Sequence, residues 1–209
     1  MRVAVVSEVS SCAKNADILW ALQLPGIETY NAGMCDPGEV PALTYIHTGL
    51  ISAVLLGTDA CDLVVGGCGT GQGYLNAVMQ YPGVFAGLIQ DPLDAWLFGQ
   101  INAGNCVSLA LNKGYGWAGN INLRYLFEKL FCDEHAQGYP PERAGSQAQS
   151  RQTLCKLSAV THRPLEEILQ VLDPEILAVL SQACRLKDAL QSRANNRELA
   201  EKLLSLLFP

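Results

Sequence analysis

Hydrophobic and polar positions follow a repeating order along the first 130 residues of the chain. Short apolar runs bounded by polar or glycine-containing turns predict five buried strands. Between these runs, apolar residues recur at the spacing of a helix face. Strands alternating with helices predict βαβ units and a parallel sheet. The predicted strands are residues 2–6, 27–31, 62–65, 84–89 and 106–111, and the predicted helices are residues 13–23, 44–56, 74–80, 91–102 and 120–134.

The pattern changes after residue 136. Residues 137–149 are rich in glycine, proline and polar side chains, which is typical of a linker or a functional loop. From residue 150 the pattern is helical and charged, and Pro164 and Pro174 stand where new helices would begin. The sequence therefore predicts a domain of residues 1–136, followed by a linker and a helical C-terminal extension at residues 137–209. We expect the extension to pack on the core or on a second subunit.

Composition narrows the possible partners. Hydrophobic residues make up 49% of the 209 residues and charged residues only 16%. This balance indicates extensive burial, in a sheet covered on both faces or in an oligomer interface. The formal net charge of −6 makes nucleic acid a poor candidate partner. A small anionic substrate is possible if the protein has a local basic site.

The eight cysteines indicate a reducing compartment. They are scattered without a C-x-x-C pair, which fits reduced cytoplasmic thiols better than a disulfide framework. None of the three histidines is spaced with another as zinc ligands would be, so we expect no metal. The apolar run at the start is too short for a signal peptide, and no stretch is apolar over a membrane-spanning length. We therefore expect a cytoplasmic protein that does not bind a membrane.

The candidate chemistry begins in residues 64–73, with the sequence VVGGCGTGQG. A predicted strand enters this stretch and a predicted helix leaves it. Such a turn directs backbone N–H groups and the positive end of a helix dipole at one point, where an anion or a developing oxyanion can bind. Cys68 lies in the middle, where the pKa of a thiol is expected to fall. The alternative interpretation is a tight turn with a buried cysteine.

Two nucleotide-binding loops do not fit this stretch. A Walker A loop ends in Gly-Lys-Ser/Thr, whereas this one ends in Gly71-Gln72-Gly73. In a dinucleotide fingerprint starting at Gly67 or Gly69, the third glycine is missing. We therefore expect no nucleotide cofactor, and a flavodoxin-like nucleotide binder is improbable.

Parallel sheets bind ligands beyond the carboxyl ends of their strands. The glycine-rich loop, residues 7–11, Asp91 and residues 113–117 all follow predicted strands, so they should share one rim.

The run Cys-Gly-Thr-Gly at residues 68–71 resembles the ribose-5-phosphate isomerase B and LacA–LacB family of sugar isomerases. Residues 1 to about 131 also follow that family's order, with a Pro-Gly-Val strand start at residues 82–84 and an Asn-x-x-Asn turn at residues 102–105. The resemblance implies a Rossmann-like three-layer α/β/α sandwich with a mainly parallel five-stranded sheet. It also implies an enzyme that needs no cofactor. The assembly it implies is a homodimer or homotetramer whose active sites are shared between subunits.

The same resemblance implies aldose–ketose isomerisation through a cis-enediolate. Cys68 matches the family's base, and the backbone donors of three glycines would hold the oxyanion. Each other match has a structural alternative, such as a helix cap, a helix end, a solvated arginine or an interface tyrosine. The residues implied for the site are the base Cys68, Thr70 for ring opening or proton shuttling, the donors Gly69, Gly71 and Gly73, Glu8 on sugar hydroxyls, Asn102 near the enediolate, Arg143 on the substrate anion, and Tyr45, with His47, near the rim.

Three departures from the family pattern bear on the substrate. Val9 and Ile101 stand where phosphate-using members carry histidines, and residues 138–143 replace a basic stretch that grips phosphate. The chain is more similar to a branch of 4-deoxy-L-threo-5-hexosulose-uronate ketol-isomerases, whose substrate is open-chain and carries a carboxylate. Arg143 or Arg151 could bind such a carboxylate bidentately. The alternatives are a ribose-5-phosphate or galactose-6-phosphate type isomerase, or a non-catalytic sugar-binding subunit.

Overall fold

The structure, a computed structural model, describes residues 1–208. Its centre is one sheet of five parallel strands in the order β2-β1-β3-β5-β4. Apolar runs such as Val-Ala-Val-Val in β1 form strands that are buried on both faces, as in other parallel sheets. The strands are β1 Arg2–Val6, β2 Glu28–Asn31, β3 Leu63–Cys68, β4 Ala86–Ile89 and β5 Cys106–Ala110.

Ten α-helices within the described residues cover the sheet and form the C-terminal part of the chain. Five of them follow the strands in sequence and the other five lie beyond residue 143. The helices are α1 Asn15–Ala21, α2 Tyr45–Gly57, α3 Gln72–Val78, α4 Pro92–Leu97, α5 Gly119–Leu130, α6 Ala144–Thr161, α7 Leu165–Val171, α8 Pro174–Leu180, α9 Cys184–Arg193 and α10 Arg197–Leu207.

Two apolar layers sandwich the sheet, because successive residues of a strand point to opposite faces. Val3 and Val5 pack with α1, α4 and α5 in one layer, whereas Ala4 and Val6 pack with α2 and α3 in the other. The chain therefore has the three-layer α/β/α architecture that the sequence predicts, with helices on both faces of a parallel sheet.

The C-terminal helices pack against the second of these layers. Leu186 and Leu203 are fully buried in the same cluster as Leu50 of α2, so the extension contributes to the core. In contrast, α6 has no buried residue, and Leu154 on this helix is 51% exposed. The division of the chain at residue 136 stays a prediction. Among residues 1–208, no helix is both long and apolar enough to cross a membrane.

Most predicted elements are present with ends shifted by a few residues, and Asp91 caps α4 as predicted by accepting the N–H of Asp94 at 2.8 Å. Two predictions were wrong. Residues 137–149 are not a simple loop, because a 3₁₀ turn at Pro141–Arg143 leads directly into α6. The third strand also does not end at residue 65 but continues to Cys68.

Gly66 and Gly67 therefore belong to β3 and not to the loop. The ring of Tyr74 lies where a side chain on Gly66 would stand, and the carbonyl of Leu109 in β5 lies against Gly67. These two glycines provide space for neighbours in the core. The turn that a ligand can approach begins at Gly69.

Candidate functional site

The strand order reverses between β1 and β3, which makes this the switch point of the sheet. The chain crosses from β1 outward to β2, whereas beyond β3 the strands β5 and β4 lie on the other side. Crevices at such switch points, beyond the carboxyl ends of the strands, are where open α/β sheets bind ligands. Glu8 follows β1 by two residues and Cys68 is the last residue of β3. The topology alone therefore brings a carboxylate and a thiol to one crevice.

Glu8 is held in a tight polar turn. Its residue is only 3% exposed. One carboxylate oxygen, Oε2, accepts the backbone N–H of Ser10 at 3.1 Å, and the other, Oε1, accepts the Ser10 hydroxyl. The Glu8 carbonyl accepts the N–H groups of Ser11 and Cys12, which starts the 3₁₀ turn before α1. The carboxylate is thus held by Ser10 and does not cap the next helix, α1.

Cys68 is 6% exposed and begins a turn that ends at Gly71. Its carbonyl accepts the N–H of Gly71 at 3.3 Å and that of Leu111 at 3.0 Å. Gly71 adopts φ +75°, and a side chain there would meet Leu88 Cδ1 at 2.5 Å. Thr70 lies exposed at the tip, where its hydroxyl oxygen accepts the N–H of Gln72 at 3.4 Å. The visible role of Gly71 is therefore to close the turn, since its N–H already has an acceptor.

Tyr45 lies beside the first turn of α3. A Cβ placed on Gly73 would be 3.2 Å from the Tyr45 ring, so the ring covers this glycine. The tyrosine is the first residue of α2, whose end is closed by a capping box in which Thr44 N–H donates to His47 Nδ1 at 3.0 Å. Partial burial lowers the pKa of His47. Tyr45 is 42% exposed, so its ring is not fully covered by the packing of α2 against α3.

A third loop, after β5, joins the same rim. The Gly69 carbonyl accepts the N–H groups of Asn112 and Lys113 at 3.0 and 2.8 Å. The Asn112 side chain donates to the Ser10 carbonyl at 2.9 Å. The predicted shared rim is thus confirmed for the loops after β1, β3 and β5. Sequence reasoning missed Asn112, although a polar residue directly after a predicted strand was the available signal.

Asn102 and Arg143 lie elsewhere. Asn102 ends a π-helical turn and precedes β5, so it lies at the amino edge of the sheet, opposite Cys68. The five residues of β5 separate these edges by roughly 16 Å at about 3.3 Å per residue. Both residues line a cavity of about 560 Å³ between α6 and the start of β4.

The same cavity distinguishes the two candidate arginines. The Arg151 guanidinium donates to the carbonyls of Ile101 and Ala136 at 2.8 and 3.2 Å, which holds the turn that ends at Asn102. Arg143 is exposed and its one side-chain hydrogen bond is a 3.4 Å contact from Nε to Ser146. The geometry therefore leaves Arg143 more available than Arg151 for an anionic ligand.

One chain thus holds two groups of site candidates on opposite edges of its sheet. No group of three or more His, Cys, Asp or Glu side chains within residues 1–208 is arranged to bind a metal ion. The glycine-rich turn also lacks the residues of the two nucleotide-binding loops considered above. The candidates at the carboxyl edge are Glu8, Tyr45, Cys68, Gly69, Thr70, Gly71 and Gly73, and those at the amino edge are Asn102 and Arg143.

Comparisons with known proteins agree with this fold. The family model described as Ribose/Galactose Isomerase matches residues 3–137. A 4-deoxy-L-threo-5-hexosulose-uronate ketol-isomerase, crystallised with a tartrate, is 38% identical, with a TM-score of 0.94 and 99% of each chain covered. A ribose-5-phosphate isomerase from Vibrio parahaemolyticus is 39% identical, with a TM-score of 0.93 and the same coverage.

More distant structures share the fold. Ribose-5-phosphate isomerase B from Clostridium thermocellum is 20% identical, with a TM-score of 0.64, over 77% of this chain and 99% of its own. The search of curated proteins gave no match.

Proposed function

The chain belongs to the ribose/galactose isomerase family of sugar isomerases, and on that premise we propose that it isomerises an open-chain uronate through a cis-enediolate, with Cys68 as the base. The observation that carries this proposal is the pairing of a thiol and a buried carboxylate at the switch point of the sheet. A glycine turn beside the thiol offers backbone donors to a developing oxyanion. The reaction needs no electron acceptor, because it moves hydrogen within one molecule.

The proposed steps assign one task to each group. The Cys68 thiolate removes a proton from the carbon next to the carbonyl, and the electron pair moves to the carbonyl oxygen to give the enediolate. The backbone at Gly69 and Gly73 stabilises this oxygen, and the Thr70 hydroxyl passes a proton between the two oxygens. The thiol then returns the proton to the former carbonyl carbon. Glu8 accepts hydrogen bonds from sugar hydroxyls and fixes the substrate.

Two further residues would come from a second copy of the chain. Asn102 and Arg143 lie roughly 16 Å or more from Cys68 along the sheet, which is too far for one small sugar to touch all three in one subunit. We therefore propose a homodimer, or a tetramer built from such dimers, in which Asn102 of the partner subunit contacts the enediolate. Arg143 of the partner subunit would bind the substrate carboxylate bidentately. The exposed apolar side chains of α6 fit burial in such an interface.

The choice of a uronate follows first from two positions. Val9 and Ile101 provide no proton for ring opening and no charge for phosphate, and an open-chain carboxylate needs neither. The 38% identity to a uronate ketol-isomerase supports the same choice, whereas the 39% identity to a ribose-5-phosphate isomerase supports the sugar-phosphate alternative. All eight cysteines are free thiols, which fits a cytoplasmic enzyme.

Proton NMR in D₂O tests the function directly. The protein is incubated in parallel with ribose 5-phosphate and with 4-deoxy-L-threo-5-hexosulose uronate, and product formation and deuterium entry next to the carbonyl are followed. Turnover of the uronate alone supports the proposal. Turnover of the phosphate alone contradicts the substrate, and turnover of neither favours the non-catalytic sugar-binding alternative.

Replacement of the thiol tests the mechanism. Loss of a general base lowers turnover by about 10² to 10⁴-fold, so Cys68→Ala should retain at most about 1% of the activity. Cys132→Ala is the matched control, because this thiol is exposed and lies outside the site. Circular dichroism and thermal unfolding verify that both variants are folded. A fully active Cys68→Ala enzyme would exclude the cysteine as the base.

A further inference from the structure

Asn112 bridges the two segments that carry the candidate catalytic groups. It lies two residues beyond β5, and its side chain passes over Gly69 to reach the turn after β1. A Cβ on Gly69 would be 3.3 Å from Asn112 Nδ2, a tighter contact than side chains normally make. Because glycine has no side chain, position 69 leaves room for the Asn112 amide to cross the crevice.

The contacts of Asn112 determine how its amide is oriented. The Oδ1 atom accepts a hydrogen bond from the ammonium group of Lys14 at 3.2 Å, and Nδ2 donates one to the Ser10 carbonyl at 2.9 Å. Because an ammonium group can only donate, it selects the oxygen and leaves the NH₂ group for Ser10. The backbone N–H of Asn112 donates to the Gly69 carbonyl at 3.0 Å. One residue thus contacts the loop after β1 and the loop after β3.

Ser10 transmits this contact to the carboxylate. Its N–H and its hydroxyl each donate to one oxygen of Glu8, and the Glu8 residue is only 3% exposed. A shift of the Ser10 backbone therefore moves both hydrogen bonds that orient the carboxylate. On the other side, the Gly69 carbonyl is one residue from Cys68.

We propose that Asn112 is a positioning residue that fixes the Glu8 carboxylate relative to the Cys68 turn. The inference rests on the proposed function, in which these two groups act on one sugar. Asn112 itself need not touch the substrate. It holds the crevice at the width at which the carboxylate binds the sugar hydroxyls while the thiol reaches the adjacent carbon.

The variant Asn112→Asp removes the hydrogen bond to Ser10 and places a carboxylate oxygen against the Ser10 carbonyl. Aspartate has nearly the same shape, keeps the backbone hydrogen bond to Gly69 and still accepts the Lys14 ammonium group, but it has no hydrogen to donate to Ser10. The matched control is Asn196→Asp, which makes the same chemical change at the N-cap of α10, far from the crevice. Aspartate caps helices as well as asparagine does, so this control should leave the fold unchanged.

Kinetics give the first readout. A small displacement of a substrate-positioning group can lower the rate by up to about 10²-fold, so we expect Asn112→Asp to reduce kcat/KM by about 10- to 100-fold. We expect the kcat/KM of Asn196→Asp to remain within about twofold of the wild-type value, as for a surface substitution. Combining Asn112→Asp with Glu8→Gln should add little to the effect of Glu8→Gln alone, because both act through one carboxylate. Additive effects, or an unchanged kcat/KM for Asn112→Asp, would overturn the proposal.

Hydrogen exchange gives a second readout that does not depend on turnover. The Ser10 amide hydrogen bonds to Glu8, and NMR in D₂O reports how often this contact opens. We expect at least about tenfold faster exchange at Ser10 in Asn112→Asp and no change in Asn196→Asp. If the unchanged protein turns over neither sugar, the proposed function fails, yet the exchange rate still decides whether Asn112 holds the Glu8 turn. Unchanged exchange contradicts the positioning role.

Discussion

Complementation between two inactive variants would reveal whether the site is shared between subunits. Cys68 and Asn102 lie on opposite edges of the sheet, separated by roughly 16 Å of β5. If both act on one sugar, each complete site takes Cys68 from one subunit and Asn102 from the other. We therefore expect Cys68→Ala and Asn102→Ala each to be inactive alone and active when mixed.

The expected magnitude follows from counting sites in a symmetric dimer. Equal amounts of the two chains, exchanged at random, give heterodimers in about half of the dimers. In each heterodimer one site carries both substitutions and the other carries neither. The mixture should therefore recover about a quarter of the activity of the unchanged protein.

The assay co-refolds the two variants, or co-expresses them with different affinity tags, and then follows isomerisation by NMR. The matched control is a mixture of Cys68→Ala with Glu8→Gln. These two residues lie on the same edge of one chain, so every site in that mixture keeps one defect and no activity should return. A Cys68→Ala and Asn102→Ala mixture that stays at the level of its components would refute the shared site.

Two further predictions concern the crevice and its rim. Gly71→Ala should lower the free energy of unfolding by about 1–2 kcal/mol for its left-handed φ, plus about 1–3 kcal/mol for its contact with a leucine methyl. Urea unfolding of Gly83→Ala, with φ +70° and nothing within 4 Å, isolates the first contribution, and equal losses in both would contradict the contact. Burial lowers the pKa of His47 below its ordinary 6.5. The stability that neutral His47 contributes to the folded state is therefore complete above pH 6.5 and is lost as the pH falls through the lowered pKa. His47→Gln keeps an acceptor for the Thr44 N–H but does not titrate in this range, so its free energy of unfolding should fall less between pH 7 and 5 than that of the wild-type protein, and an unchanged pH profile would contradict the assignment.

Much of the fold could be predicted from local patterns. The apolar strands and the amphipathic helices, with Asp91 and Pro174 at helix starts, are determined by period and by capping chemistry, which involve neighbours in sequence. The parallel sheet follows from the alternation of the two elements, and its shared rim follows from the parallel direction of the strands. For the same reason, Glu8 and Cys68 could be placed in one crevice without the structure.

Other features depend on residues that are distant in sequence. Gly66 and Gly67 belong to β3 because the Tyr74 ring and the β5 backbone occupy the space beside them, and no local pattern contains those neighbours. The sequence could not distinguish Arg143 from Arg151 either. Only the folded chain shows that Arg151 is already bound to two backbone carbonyls.

By itself, the sequence determined the architecture, the family and the thiol at the centre of the candidate chemistry, because these depend on periodicity and on a short contiguous motif. Tertiary structure alone decided which candidates lie together. It separated Asn102 from Cys68 by the length of β5, and it brought Asn112 across Gly69 to Ser10. The physical reason is that distances across a sheet depend on strand order and register, which arise from the packing of the whole chain.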